Sequence, residues 1–532
     1  MPLDTSPPPE NRPANGQGIA RAATIVSLGN VASRILGLVR DNRNAYFFGA
    51  TGSMSAFNVA SLVPKNIYEL LVGGMVSAAL VPVFSELASG NDREELWHVV
   101  STLLSLVVVV LGGFLLLAEV AAPLLSTVLA TGFKADLRNL TTTLIRVISP
   151  AVVFFGISGV LTAVLYAQQT FTYPAIGAAV FNLGGILGTQ LLARRVGIVS
   201  LTLGIVFGAL LQMTVQLPGL SKSRLRFSLD VRHPAIRRIA VLYVPVVVSL
   251  VVSQIGIVID RNLASRVSEQ AIAWMEDATR LREFPLGLVS TAVSMAVLPA
   301  LSRLNLRTER RHFKVTLGLG LRMVLVLIVP ATIGLLVMGA PIISLIYQHG
   351  RFTAFDTSQT SMALYGYLLG TPFAAVDLLL VFAFYAQKDT LTPVVVGILC
   401  VLIYLIAAPT LAFVFGLGML GLVIANSIQL ASHAVLMFIL LLQRVGSMSD
   451  QHLTATVAKV CAGSVLMGVW VYLCLAALRL LLPGQGLPWQ VVTVGVAGAG
   501  GLLVYGLAVA YLGVDEARLL YDLVGRRARR QP

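Results

Sequence analysis

Apolar runs of more than twenty residues recur along most of this chain. "TLLSLVVVVLGGFLLLAEVAAPLL" and "MVLVLIVPATIGLLVMGAPIISLIY" are two of them, each longer than the roughly 20 residues with which a helix crosses a bilayer. Such a chain cannot wrap a soluble core: only 12% of its residues are charged, against about 25% in an average soluble domain. A transmembrane β-barrel would show alternating segments of about ten residues, and none are present. The pattern predicts an all-α polytopic membrane protein.

The apolar segments predict fourteen helices, at residues 19–48, 57–87, 97–128, 139–169, 173–194, 198–219, 236–263, 271–303, 314–347, 357–387, 391–415, 418–443, 454–482 and 488–513. Residues 1–18, "MPLDTSPPPENRPANGQG", are polar and Pro-rich with no apolar core before a cleavage site, so a disordered tail is expected rather than a signal peptide. The net charge of +14 is concentrated in "SKSRLRFSLDVRHPAIRR", "RLNLRTERRHFK" and the terminal "GRRARR". These fall on one side if the N-terminus is inside, which places both termini in the cytoplasm by the positive-inside rule. The basic excess is therefore a topology signal first and a contact with anionic lipid headgroups second, not a nucleic-acid footprint. Cys400, Cys461 and Cys474 lie in apolar runs as small packing residues.

Three landmarks repeat in order: "ALVPVFSEL" and "AVLPALSRL", with Pro82 and Pro299 217 residues apart; Gly132 and Gly350, 218 apart; "LYAQQTFTYP" and "FYAQKDTLTP", with Pro174 and Pro393 219 apart. A near-constant offset implies two homologous halves. Six helices separate equivalent points, so the repeat is parallel, an arrangement in which the substrate path lies between two rocking lobes. The expected organisation is an N-lobe at 19–220, a basic cytoplasmic linker at 221–235 and a C-lobe at 236–445. A helix pair outside the repeat follows at 446–515, then a basic cytoplasmic tail at 516–532.

Charges inside these helices mark the candidate site, since an Arg or Asp at mid-membrane costs about 2.5 to 3.5 kcal/mol on insertion scales. At 100° per residue Asn30, Arg34, Gly37, Asp41 and Asn44 share one face of the first helix, with Arg40 beside it. Two roles fit: lining a wet cavity, or an Arg34–Asp41 network that locks helices together. Glu276, Arg280 and Glu283 share a face of the 271–303 helix, with Arg282 pointing elsewhere and Pro285 and Gly287 just beyond. Asp260 and Arg261 are adjacent, about 100° apart on their helix, and so do not simply neutralise one another; Asp260 could hold a cation or proton, or be captured by a neighbouring Arg. Lys65 and Glu69 stand at i, i+4, and Asp377 is a further acid in an apolar run. No Walker A, HExxH, GxSxG or CxxC motif occurs, no metal-ligand grouping is evident, the six histidines are scattered singly, and "GLGMLG" lacks the strand that a dinucleotide fingerprint needs. A transporter is expected, not an enzyme.

"SRILGLVRD", "VSQIGIVIDRNLAS", "RLREFPLGLVSTAVSMAVLPALS", "GRFTAFDT" and "FYAQKDTLTP" together resemble the MurJ (MviN) family of bacterial lipid II flippases, in the superfamily that includes MATE exporters. The resemblance spans about 20–445 and implies a V-shaped central cavity in the bacterial cytoplasmic (inner) membrane. It further implies that arginines in the cavity meet the lipid's diphosphate and that the last two helices form a groove for its polyprenyl tail. Matched by motif, these residues are Arg34 and Arg40 followed by Asp41, and Arg280 followed by Glu283, while Asp260 resembles an acid of the sodium site in some members. Guanidinium groups suit bidentate phosphate contacts. The second helix departs from the family, with Ser55, Tyr68 and Gly73 where an Asp, an Arg and a Glu-Gly pair are usual; Lys65 and Glu69 are the candidate substitutes. The eleventh helix offers only Tyr404 and Cys400 where an Asn and an Asp would complete a sodium site, which argues against sodium coupling; no cofactor is expected. The expected function is flipping of lipid II or a related polyprenyl-diphosphate glycolipid, with cell-wall synthesis proteins as candidate partners. The alternatives are a flippase for another polyprenyl-linked glycan and a MATE-like exporter of small molecules.

Overall fold

The computed structural model describes residues 16–69, 76, 79–89, 93–220, 225–304, 308–481, 486–514 and 516. Gly73, residues 1–15 of the expected tail, 221–224 of the expected linker, 305–307 of the second basic connection and 517–532 of the terminal tail lie outside the described residues. The described residues are helical apart from turns, bends and irregular connections, with no strand among them. In chain order the helices are α1 Gly16–Phe48, α2 Gly52–Tyr68, α3 Val81–Ser89, α4 Arg93–Leu129, α5 Ala135–Ile148, α6 Ala151–Ala167, α7 Thr172–Val196 and α8 Val199–Gln216. They continue with α9 Pro234–Val267, α10 Ala271–Ser302, α11 Arg310–Tyr347, α12 Ala354–Leu368, α13 Thr371–Ala386, α14 Leu391–Pro409, α15 Met419–Val445, α16 Leu453–Leu481 and α17 Leu487–Tyr511.

The expected spans fall on these helices, the 57–87 span being described only at its two ends, by α2 and α3. Among the described residues nine helices are long and apolar enough to cross a bilayer, or ten if the bent pair α12 and α13 is one span. The 139–169 and 357–387 segments are each interrupted: α5 gives way to α6 at Ser149–Pro150, and α12 meets α13 at a 43° bend around Leu369–Gly370. α1 begins at Gly16, three residues inside the expected tail.

The backbone carries the internal repeat more sharply than the side chains do. Ala135 and Ala354 open α5 and α12, and Thr172 and Leu391 open α7 and α14, 219 residues apart in both cases. Positive φ recurs at the same spacing, at Gln169 (59°) and Lys388 (61°), and at Gly197 (59°) and Gly416 (70°). A non-Gly residue with φ > 0 is uncommon, so its recurrence at equivalent turns is consistent with two copies of one fold.

The molecule divides into two compact units. The first comprises the chain up to Phe47, Ala56–Val128 and Lys134–Ile255; the second comprises Phe48–Ser55, Leu129–Phe133 and the chain from Gly256 onward. In the first, Phe84, Val100, Leu161 and Leu165 centre a core shared by α3, α4 and α6. α7 and α8 pack backbone to backbone: a Cβ on Gly184 would lie 2.4 Å from the Cα of Gly208, and one on Gly188 2.4 Å from that of Gly204. The described part of the expected linker is strapped along α4, where the hydroxyls of Ser101 and Ser105 accept from the N–H groups of Arg226 and Ser228 at 3.1 Å each.

In the second unit Leu301, Leu321, Leu380, Phe384 and Leu441 form the core of α10, α11, α13 and α15. α16 and α17 pack on α11 through Met338, Met467, Val471 and Val509, with the Tyr505 hydroxyl donating to the Val326 carbonyl at 2.6 Å.

Candidate functional site

In the first unit α1 lies along α7 on small and amide residues. A Cβ on Gly29 would lie 2.7 Å from that of Ala175, Asn182 Nδ2 donates to the carbonyl and the hydroxyl of Ser33 at 3.1 Å each, and Thr189 Oγ1 donates to Asn44 Oδ1 at 2.9 Å. Gly37 stands opposite Asn182. The polar face expected from sequence is thus divided: Gly37 and Asn44 hold α7, whereas Asn30 and Arg34 are exposed.

Arg40 and Asp41 form the ion pair on this helix. Both Nε and Nη2 of Arg40 donate to Asp41 Oδ1, at 3.1 and 3.0 Å. Gly185 makes room for the Arg40 stem, since a Cβ there would come 2.8 Å from Arg40 Cδ. The expected alternative of an Arg34–Asp41 network is not what forms: Arg34, near the middle of the 33-residue α1, makes no hydrogen bond or ion pair among the described residues.

The expected i, i+4 pair of Lys65 and Glu69 does not form either; both side chains are exposed. α2 ends at Tyr68 and the backbone takes π geometry at Glu69, which breaks the 3.6-residue register on which such a pair depends. Tyr68 packs edge-on against Phe155 with ring centroids 4.8 Å apart, so this position supports packing, not a charge. Ser55, in the second unit, accepts from the N–H of Ala273 at 3.2 Å, an N–H at the start of α10 that also reaches the Gln270 carbonyl at 2.9 Å.

The second unit carries a connected charge network on α9 and α10. Arg261, buried, pairs with Glu276, and Arg280 approaches the same carboxylate at 3.8 Å. Two guanidinium groups thus share one acid. Glu283, expected on the same face, is exposed and outside the network. Asp260 is not captured by an arginine: the Tyr404 hydroxyl on α14 donates to Asp260 Oδ1 at 2.5 Å, while Arg261 turns to Glu276. The divergence of adjacent helical side chains accounts for the two separate partners.

Other polar contacts in this unit were not legible in the sequence. Arg282 reaches Asn426 Oδ1 at 3.2 Å and stacks over the Tyr367 ring at 4.8 Å, and Trp274 Nε1 donates to Asp356 Oδ1 at 3.0 Å. His433 Nδ1 lies 2.7 Å from Asp377 Oδ1, joining α15 to α13. The available signal was that each is an ionisable or amphipathic residue within an apolar run; the pairing itself depends on helix neighbours that no spacing reveals. Among the described residues no group of three or more His, Cys, Asp and Glu side chains could hold a metal ion.

An all-helical fold with long apolar helices and arginines placed inside them is that of a polytopic membrane protein. The family model described as lipid II flippase MurJ matches residues 44–488, and the chain belongs to that family. The lipid II flippase MurJ of Burkholderia cenocepacia is 28% identical over 437 residues, 80% of this chain and 84% of its own length. The probable lipid II flippase MurJ of Vibrio cholerae is 30% identical over 471 residues, 85% of this chain and 89% of its own length. The fold is similar to a structure of lipid II flippase MurJ in an inward closed conformation, with a TM-score of 0.75 at 24% identity over 94% of this chain and all of that one. It is also similar to an inward-facing multidrug resistance MATE family transporter of the MOP superfamily, with a TM-score of 0.65 at 13% identity over 78% of this chain and 96% of that one.

Proposed function

We propose that this protein flips lipid II, the polyprenyl-diphosphate-linked precursor of peptidoglycan, across the bacterial cytoplasmic membrane by alternating access and without hydrolysing ATP. The observation that carries the reading is Arg34, a cation near the middle of a membrane helix with no counter-ion among the described residues. An unneutralised guanidinium at that depth needs water or an anionic cargo, and a diphosphate supplies the anion. Arg40, beside Asp41, and Arg280, which shares Glu276 with Arg261, are assigned to the same diphosphate; Asp41, Glu283 and Lys65 are assigned to the polar surroundings of the headgroup. A MATE-like exporter of cations would need the opposite sign of potential along its path.

Transport in this reading is independent of sodium. A hard cation needs several converging oxygen ligands, and Asp260 is instead occupied by the Tyr404 hydroxyl. The exposed apolar side chains of α16 and α17, among them Leu466, Leu473, Leu502 and Leu507, are assigned to the polyprenyl tail. Both termini are cytoplasmic, on the side where Arg226, Arg232, Arg237 and Arg238 cluster. Depleting the protein in its native cell and identifying the accumulating precursor tests the assignment. Lipid II is the expected one; a different polyprenyl-linked glycan, or none, overturns it.

A further inference from the structure

The first unit holds a cavity of about 960 Å³, lined by none of the arginines assigned to the diphosphate. It lies among the N-terminal end of α4, the α6–α7 turn, the short turn Leu217–Leu220 after α8, and the strap at 225–230 that runs along α4. Arg93, Trp97 and His98 of α4, Gln168 and Gln169 of the α6–α7 turn, and Arg226 of the strap are among its walls.

Other acids near this end of the unit have basic neighbours. Glu86 pairs with Arg238 at 2.7 Å, Asp230 lies 3.3 Å from His98, and Glu95 lies 3.8 Å from His233. Glu94 is the acid in the cavity wall, against the two arginines. The Arg93 and Arg226 side chains make no hydrogen bond or ion pair among the described residues; Arg226 is held by its backbone N–H, which donates to Ser101 Oγ. The cavity is therefore left with surplus positive charge, and a guanidinium fork matches the oxygens of a phosphate. A zwitterionic headgroup would bring its own cation against that surplus.

The two faces of the strap point to the source of the phosphate. Its side chains alternate, as in an extended segment. Ser228 accepts from the Thr102 hydroxyl at 3.0 Å and Asp230 meets His98, so the even positions face α4 and the cavity. Leu225, Phe227 and Leu229 turn the other way and are 40%, 74% and 46% exposed. Such a row of apolar side chains suits the boundary between headgroups and acyl chains. Trp97 is a residue type favoured at that depth, and the apolar run of α4 begins just beyond it, at Leu103. The strap backbone also meets the demand of that zone, since the N–H groups of Arg226 and Ser228 are bonded to α4 hydroxyls.

We propose that this cavity binds the phosphate headgroup of an anionic phospholipid. Arg93 and Arg226 hold the phosphate oxygens, Trp97 lies beside the acyl chains, and Leu225, Phe227 and Leu229 are seated in the same leaflet. The bound lipid ties the strap to α4 and to the α6–α7 turn.

Trp97 fluorescence in lipid nanodiscs tests the site, read as the difference between wild type and Trp97→Phe. The nanodiscs are phosphatidylcholine with a small fraction of phosphatidylglycerol or phosphatidylcholine brominated in its acyl chains, which quench a nearby indole. Brominated phosphatidylglycerol is expected to quench Trp97 at about one tenth of the mole fraction that brominated phosphatidylcholine needs, the effect of two arginines near a lipid surface. In Arg93→Gln/Arg226→Gln, whose lost side chains orphan no described partner, the two lipids are expected to quench alike at an unchanged melting temperature. Equal quenching in wild type, or an undiminished preference in the double variant, overturns the headgroup site. Soluble sn-glycerol 3-phosphate is expected to leave the quenching in place; relief of quenching would assign the cavity to soluble phosphates and overturn the lipid source. Phe227→Trp in the Trp97→Phe background is expected to be quenched by both brominated lipids, and its failure to be quenched overturns the seating of the strap in the leaflet. No lipid II is present, so these results leave the flipping assignment untouched.

Discussion

The Tyr404 hydroxyl donates to Asp260 Oδ1 at 2.5 Å, joining α14 to α9 within the second unit. This contact uses the carboxylate that the family resemblance associates with sodium. Replacing sodium by potassium at fixed membrane potential is therefore expected to leave lipid flipping unchanged. Tyr404→Phe removes the donor from a half-buried acid, at a cost of about 1 kcal/mol, measurable as a lower melting temperature in detergent. A saturable sodium requirement that disappears in Asp260→Asn would contradict this assignment.

Two neighbouring glycines of α7 separate function from stability. A methyl on Gly185 meets the Arg40 side chain at 2.8 Å, which can move; a methyl on Gly184 meets the Gly208 backbone at 2.4 Å, which cannot. Gly185→Ala is expected to keep the melting temperature and to reduce flipping by displacing Arg40. Gly184→Ala is expected to destabilise by about 1 to 3 kcal/mol, the usual range for overpacking. Equal loss of stability in the two variants would show that Arg40 is held by more than its contact with Gly185.

Asp389 ties down the start of α14. Its carboxylate accepts from the Thr392 hydroxyl at 2.6 Å and from the Thr392 N–H at 3.0 Å, and pairs with Arg444 at 2.6 Å. The Thr392 contacts, with Arg444 behind them, hold its pKa down at about 2. A carboxyl lowered on folding stabilises the protein above its unfolded pKa near 3.9, and that contribution is lost as the pH falls through about 2. Asp389→Asn is expected to cost about 1 kcal/mol at pH 6, with the gap to wild type narrowing as the pH falls below about 4 in thermal melts. A gap that stays constant down to pH 2.5 would assign the effect to shape rather than charge.

The helices were legible because hydrophobic length is a local signal, and repeated turn residues are local too. "LYAQQTFTYP" and "FYAQKDTLTP" already marked the turns where Gln169 and Lys388 take positive φ. Partner choice was less legible. Arg40 and Asp41 are adjacent in sequence, and adjacency on a helix ordinarily separates side chains, yet the long guanidinium stem folds back across Gly185 to reach its neighbour. Lys65 and Glu69 have ideal helical spacing and do not pair, because the helix changes pitch between Tyr68 and Glu69. Asp377 and His433 lie 56 residues apart, and only the packing of α13 against α15 brings them together.

Lipid flipping by Arg34 variants in reconstituted vesicles tests the central claim most directly. Arg34 contacts no described side chain that would be orphaned by its removal, so Arg34→Ala is expected to melt with the wild type. If the guanidinium meets the diphosphate, the variant flips fluorescent lipid II about tenfold to a hundredfold more slowly, the loss of one charged hydrogen-bonded contact, and Arg34→Lys recovers part of the rate. An Arg34→Ala protein that flips lipid II at the wild-type rate would contradict the account.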